Sequence, residues 1–234
     1  RLKRLHNGGM IRQFSARPAV SLLILVLLCA VLAVAPLSAE EPDEFDLVEP
    51  AVLSDDEARW LQRAEDYFNS IQSIRAAFFQ TSTGGETAEG NFYLRRPGRL
   101  RIEYLPPTPV LIVGDGLFLH FHDTELGQVS DWPIFDTPLG ALSSDEVKFN
   151  DDFIVIGFRR RSGALAITLV KREDPGLGSL TLFFSEAPME LKQWKVIDAQ
   201  GLVTTVALFD AEINIALDNR LFVFDDPREV QQNR

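Results

Sequence analysis

Three side chains stand close enough in sequence to suggest chemistry: His120, His122 and Asp123. Residues two apart on a strand share a face, so the two imidazoles could reach one metal ion. No third ligand is indicated at zinc-like spacing. The alternative places both rings on a polar outer side, alternating with Leu119 and Phe121. Nucleophilic catalysis needs a side chain beside a base, metal hydrolysis a ligand cluster, and phosphoryl transfer a phosphate-cradling loop. The chain contains no G-x-S-x-G, no P-loop and no H-E-x-x-H. Carboxylates are plentiful, but sequence alone cannot select a pair for glycoside chemistry. The run Arg159-Arg160-Arg161 reads as a solvated strand end. Cys29 is the single cysteine. It lies in an apolar run after Leu28, where lipoprotein processing wants a small residue, so it reads as an apolar filler. These residues point away from an enzyme, and no metal or cofactor is expected.

The segment around Cys29 explains itself. Arg1, Lys3, Arg4, Arg12 and Arg17 are the only charges before Glu40, and Ala19 to Ala35 is an uncharged run that is apolar apart from Ser21. Pro36-Leu37-Ser38-Ala39 follows. A basic stretch, an apolar stretch and small residues at the end make a secretory signal peptide over 1–39; an uncleaved membrane anchor is the competing reading. Cleavage would remove the only thiol, and with it disulfides and thiolate ligands. It would also remove five of the 23 basic residues and none of the 34 acidic ones, leaving a net charge of −16. That sign opposes nucleic acid and lingering on anionic membranes, and it equally serves plain solubility.

The remaining chain, 46% apolar overall, must position whatever site exists. Residues 40–54 are acidic and carry two prolines, which predicts a flexible segment. Ser54 with Glu57 forms a capping box, Asp55 and Asp56 suit a helix N-terminus, and Leu61, Ala64, Phe68 and Ile71 recur at helical spacing. A helix is expected over 55–72. Strands are expected over 78–83, 90–95, 99–105, 110–113, 117–122, 125–130, 153–159, 165–171, 180–185, 191–197, 203–209 and 221–224, with turns at Pro97-Gly98 and Asp115-Gly116. Residues 131–150 read as a loop with one helical turn. Short strands at this spacing mean an all-β barrel or sandwich. One long helix among them either covers an open barrel's apolar face or packs outside.

One stretch goes beyond composition. Ile74-Arg-Ala-Ala-Phe78-Phe-Gln80 is followed by Gly90-Asn-Phe92-Tyr-Leu94-Arg-Arg96-Pro97-Gly98, then by Leu100-Arg-Ile102-Glu-Tyr104, Pro107, Leu111-Ile-Val113-Gly-Asp115-Gly116, Gln128 and Trp132. Later come Trp194 to Asp198, Gly201, Thr204, Thr205 and Phe222-Val-Phe224-Asp-Asp-Pro227. In order and spacing this resembles the periplasmic outer-membrane lipoprotein carrier family, LolA-type, over about 74–227. The resemblance implies a mainly β fold: an unclosed half-barrel of about 11 antiparallel strands, with an N-terminal amphipathic helix and a loop or short-helix lid over an apolar concave face. It implies a carrier domain over 55–227 and a tail over 228–234.

It also implies a role. The chain would be a monomeric periplasmic carrier that takes acyl chains of triacylated lipoproteins from an ATP-driven inner-membrane exporter to an outer-membrane acceptor. Arg96 would help close the lid through hydrogen bonds, against the plainer reading of a hairpin-end arginine in water. Ile74, Phe78, Phe92, Leu94, Leu100 and Ile102 would face the acyl cavity, although core packing predicts the same alternation. Three positions depart from the family pattern: Ile102 stands for a usual Trp, Leu100 for Phe and Gly114 for Ser. The alternatives are a lipid- or lipoprotein-sensing envelope module of the same fold, an envelope hydrolase without a motif, and a membrane-anchored scaffold.

Overall fold

The computed structural model describes residues 48–137, 140 and 142–228; the expected signal peptide over 1–39 and the tail beyond Arg228 lie outside them. Helix α1 spans Asp55–Ser70. Its start is the expected capping box: the Ser54 N–H donates to Glu57 Oε2 at 2.8 Å and the Glu57 N–H to Ser54 Oγ at 3.4 Å. The stripe Leu61, Ala64, Phe68, with Ile71 at the C-cap, is buried. Before the helix, the Ala51 N–H donates to Val155 O at 2.7 Å, and Ala51 and Leu53 pack on the core.

Eleven strands follow: β1 (Ser73–Ser82), β2 (Thr87–Arg95), β3 (Arg99–Tyr104), β4 (Val110–Asp115), β5 (Phe118–Asp123), β6 (Gln128–Pro133), β7 (Phe153–Arg161), β8 (Ala164–Lys171), β9 (Gly178–Glu186), β10 (Met189–Asp198) and β11 (Val203–Ile213). They form one sheet in the order β6-β5-β4-β3-β2-β1-β11-β10-β9-β8-β7. Each paired neighbour is antiparallel. The two end strands are β6 and β7, so the barrel is unclosed, as the resemblance implied. Register shifts between Arg75 and Ala77, Val155 and Gly157, and Leu191 and Gln193 mark bulges. Bulges bend a strand and raise its twist, which curls the sheet around one apolar face.

β1 starts at Ser73 rather than Phe78 and β11 runs to Ile213 rather than Phe209, and two further expected strands differ more. Residues 221–224 form no strand; a 3-10 turn spans Asn219–Phe222, capped by Asp218. This stretch lies against β2, β3 and β4, whose ladder bonds are already taken by one another, so it has no free edge to join. Phe222 is buried there under the Arg95 guanidinium, 4.7 Å from the ring centroid. The strand expected over 125–130 instead starts at Gln128. Asp123 Oδ1 accepts from the N–H groups of Glu125 and Leu126, and Gly127 takes φ 65°, so residues 124–127 make the turn.

Candidate functional site

The six apolar residues singled out by resemblance share one face. Ile74, Leu94 and Leu100 stand side by side on β1, β2 and β3, as do Ala76, Phe92 and Ile102 one row further along. Phe78 lies opposite Gly90, and Tyr104 is on Gly90's other side. All six are buried. A Cβ at Gly90 would come within 2.6 Å of the Phe78 ring and 2.0 Å of Glu103 O, so glycine is what lets that ring lie down on the sheet. The face continues through Val206 and Leu208 of β11, Trp194 of β10, Leu182 and Phe184 of β9 and Leu165 and Ile167 of β8.

What covers this face is α1 and the segment that crosses from β6 to β7. Leu61, Ala64 and Phe68 of the helix, and Ile134, Leu142, Val147 and Phe149 of the crossing segment, belong to the same apolar cluster as the sheet residues. The Phe68 and Phe149 rings meet at 6.1 Å between centroids, and Tyr67 meets Phe184 edge-on at the same distance. The cover is therefore apolar underneath.

Polar ties hold the cover. Arg96, only 7% exposed, donates through Nη1 to Ser144 O of the crossing segment at 2.5 Å and through Nη2 to Phe68 O of α1 at 3.2 Å. Its guanidinium also lies 5.0 Å from the Phe68 ring centroid. Its Nε is buried without a hydrogen-bond partner among the described residues. Burial pushes the guanidinium down to about 10, with Asp145 pulling the other way, so it stays charged at neutral pH. The plainer reading of Arg96 as an arginine in water does not hold.

The same corner is stitched by residues that carried no sequence signal. Asn69 Oδ1 accepts from the Val147 N–H at 2.9 Å while its Nδ2 donates to Val147 O at 2.8 Å. The Phe149 N–H donates to Glu65 Oε2 at 2.7 Å, and the Gly98 N–H to Ser143 O at 2.9 Å. At the other end of α1, Arg159, Arg160 and Arg161 are exposed at the end of β7, as expected, and Arg160 is also held by partners. Its Nε and Nη2 donate to the two carboxylate oxygens of Glu186 at 2.7 and 3.2 Å, and its guanidinium lies 4.1 Å from the Trp60 ring centroid.

The histidines lie on the opposite, convex face. His120 Nδ1 is 2.7 Å from Asp131 and its Nε2 3.4 Å from Asp115, and its ring stacks on Phe224 at 4.6 Å. His122 meets Phe224 edge-on. The ring of the C-terminal stretch covers them, and among the described residues no group of three His, Cys, Asp or Glu could hold a metal ion. A separate hollow of about 20 Å³, room for one water, is lined by Phe153, Leu169, Lys171, Leu177, Leu180 and Val196, and by none of the six residues above.

Gly114, where the family usually has Ser, has a local cause. A Cβ there would stand 2.6 Å from Ile134 Cδ1 and 3.0 Å from Leu100 Cγ. The fully buried Ile134 of the crossing segment takes the room the missing side chain leaves.

Comparison with known proteins meets this geometry. A family model described as outer membrane lipoprotein carrier protein LolA matches residues 69–225. An outer-membrane lipoprotein carrier protein of Pseudomonas paraeruginosa is 30% identical over 183 residues, covering 74% of this chain and 86% of the relative. One from Methylococcus capsulatus is 29% identical, covering 72% and 84%. Among solved structures, a LolA superfamily protein of Nitrosomonas europaea aligns with a TM-score of 0.42 at 9% identity, over 70% of this chain and 97% of its own. With the model match spanning the end of α1, all eleven strands and the crossing segment, the chain belongs to the outer-membrane lipoprotein carrier family, whose members are binding chaperones and not enzymes.

Proposed function

We propose that this protein is a periplasmic carrier that shelters lipoprotein acyl chains on its concave face and moves them from the inner to the outer membrane. The relatives' names supply the cargo class. The observation that carries the reading is the apolar cover: α1 and the crossing segment occupy the face that Ile74, Phe78, Phe92, Leu94, Leu100 and Ile102 build, and they are fastened there by few polar ties. Acyl chains would enter as the cover lifts and would take over its apolar contacts. Residues 1–39 would be cleaved on export, and 55–227 would be the carrier domain.

The energetics suit a carrier that must let go. An acyl chain of about fifteen methylenes gains roughly 12 kcal/mol on burial. Non-covalent affinity saturates near −18 to −21 kcal/mol, so two or three chains cannot be held as well as a bilayer holds them. Binding also displaces Leu61, Phe68, Val147 and Phe149, each worth about 1.5–3 kcal/mol when buried. The net affinity is therefore a difference, small enough for release. Extraction then needs a driven donor, an ATP-dependent inner-membrane exporter, while an outer-membrane acceptor can take the cargo passively.

The test is a release assay. Chain beginning at Glu40 is added to spheroplasts making a labelled outer-membrane lipoprotein, and soluble lipoprotein is counted after sedimentation. A one-to-one soluble complex that declines when ATP is depleted is the expected result. Folded protein that releases nothing would overturn the carrier role and leave a lipid-sensing module of the same fold.

A further inference from the structure

Helix α1 is fastened unequally at its two ends. At its C-terminal end it runs straight into β1, and Asn214 holds the junction by accepting from the Gln72 N–H at 2.8 Å and donating to Ser70 O at 3.0 Å. Arg96 and Asn69 are at that end too, mostly out of water. Just ahead of the N-terminal end the Ala51 N–H donates to Val155 O at 2.7 Å, and the helix itself is tied to the sheet there only by side chains, through Arg160. That guanidinium is gripped by Glu186, whose side chain is 12% exposed, and stands 3.6 Å from Asp56 of the helix's first turn. Two guanidiniums lie over the Trp60 ring, that of Arg160 at 4.1 Å and that of Arg63, on the helix itself, at 4.0 Å. Two like charges on one ring repel, and the arrangement holds because Glu186 and Asp56 neutralise them.

We infer that Arg160 is a second latch of the lid, a positioning residue that sets how often α1 lifts from its N-terminal end while pivoting near Ile71. Geometry favours this direction. The far end of a 16-residue helix is about 24 Å from its pivot, so a modest rotation uncovers the concave face from Phe184 inward. The chemistry differs from that of Arg96. The ion pair that reaches the helix, between a 41% exposed arginine and a 59% exposed Asp56, is weakened by salt, whereas the buried Arg96 is shielded. Ionic strength thus tunes one latch and not the other. The inference rests on the carrier reading for its purpose, but its motion can be measured without cargo.

Chain beginning at Glu40 has no cysteine, so spin labels can be placed on Gln62→Cys in α1 and Lys192→Cys on β10, both exposed. The distance distribution between them reads opening directly. Raising NaCl from 10 mM to 0.5 M should increase the long-distance population about three-fold in the parent. Arg160→Gln should show that population, or more, already at low salt and should lose the salt response. Arg160→Lys should fall between, since it keeps the charge but not the two-pronged grip or the stacking plane. Glu186→Gln, which leaves two cations on Trp60 without their carboxylate, should behave like Arg160→Gln and serves if that variant does not fold. Arg96→Leu should open the lid yet keep the salt response. Parent-like distances in Arg160→Gln, or in Glu186→Gln, at both salts would overturn the latch. Salt-dependent opening in a chain that releases no lipoprotein from spheroplasts would keep the latch and reject the carrier role.

Discussion

Asn69 and Val147, 78 residues apart in sequence, exchange two hydrogen bonds: the amide oxygen of Asn69 accepts from the Val147 N–H at 2.9 Å and its amide nitrogen donates to the Val147 carbonyl at 2.8 Å. One side chain on α1 thus mimics a strand partner for the crossing segment, and Glu65, one turn earlier, adds the Phe149 N–H. The two halves of the cover are thus bound to each other near the C-terminal end of α1. Asn69→Ala removes both bonds and leaves a part-buried backbone N–H and C=O unpaired, a loss of about 1–3 kcal/mol. Hydrogen exchange at Val147 and Phe149 should accelerate roughly ten-fold or more, with little change in the strands β1 to β3. Unchanged exchange there would mean that apolar packing alone holds the segment.

On the proposed carrier reading Arg96 would favour the closed form, because its two acceptors, Phe68 O and Ser144 O, belong to the cover. Removing it should cost the empty, closed form about 1–3 kcal/mol, and by linkage cargo should be held tighter by roughly 5- to 150-fold. Arg96→Leu is therefore expected to fold, with its apolar side chain offsetting part of the loss at a site where a buried Nε has no described partner. It should load lipoprotein yet pass it on slowly. Transfer from a preloaded complex to acceptor membranes measures this, and a parent-like transfer rate would remove Arg96 from the mechanism.

The strands around this corner were legible because their cause is local. Alternating apolar residues, Pro97-Gly98 and Asp115-Gly116 are short-range signals, and so is the Ser54–Glu57 box. Arg96 could be named only by resemblance, since its acceptors are backbone carbonyls 28 and 48 residues away. Arg160 was rightly read as an exposed strand end, but its partners were not legible, for a definite reason. Counting in twos from the buried Phe153 and Val155 sends Arg159 and Arg161 inward, but the bulge at Ile156 reverses the phase. Phe158 and Arg160 then pair with the buried Ile167 and Leu165 on the concave side. Residues 221–224 read as a strand because Leu, Val and Phe there have strand character, while nothing in the sequence says that every nearby edge is occupied.

Gly114 offers a test of packing against family habit. Restoring the usual residue, Gly114→Ser, places a Cβ 2.6 Å from Ile134 Cδ1. The crossing segment must shift or the variant loses about 1–3 kcal/mol. Ile134→Ala alone leaves a cavity and costs about 2–5 kcal/mol, but it makes room for the new side chain. The double variant should therefore be more stable than the sum of the two losses predicts, by at least about 0.5 kcal/mol in urea unfolding. Strict additivity would mean that the two positions do not compete for the same space.

Tyr104 should set an alkaline limb on stability. Its hydroxyl donates to Gln80 Oε1 at 2.8 Å, and its ring meets Phe78 edge-on at 5.2 Å. Burial pushes the phenol up to about 12. Below about pH 10 both folded and unfolded chains keep the proton, and the neutral phenol's contribution is complete. Between about 10 and 12 the unfolded chain gives up its proton first, so unfolding is favoured and stability falls with rising pH. Tyr104→Phe loses the hydrogen bond, worth about 1 kcal/mol at pH 8, but has no proton to lose. Urea stabilities measured from pH 8 to 11.5 should therefore converge and then cross, the parent declining more steeply by roughly 2 kcal/mol overall. Parallel curves would mean that the phenol ionises as readily in the folded protein as in the unfolded chain, and that the apolar corner formed by Phe78, Gly90 and Tyr104 admits water.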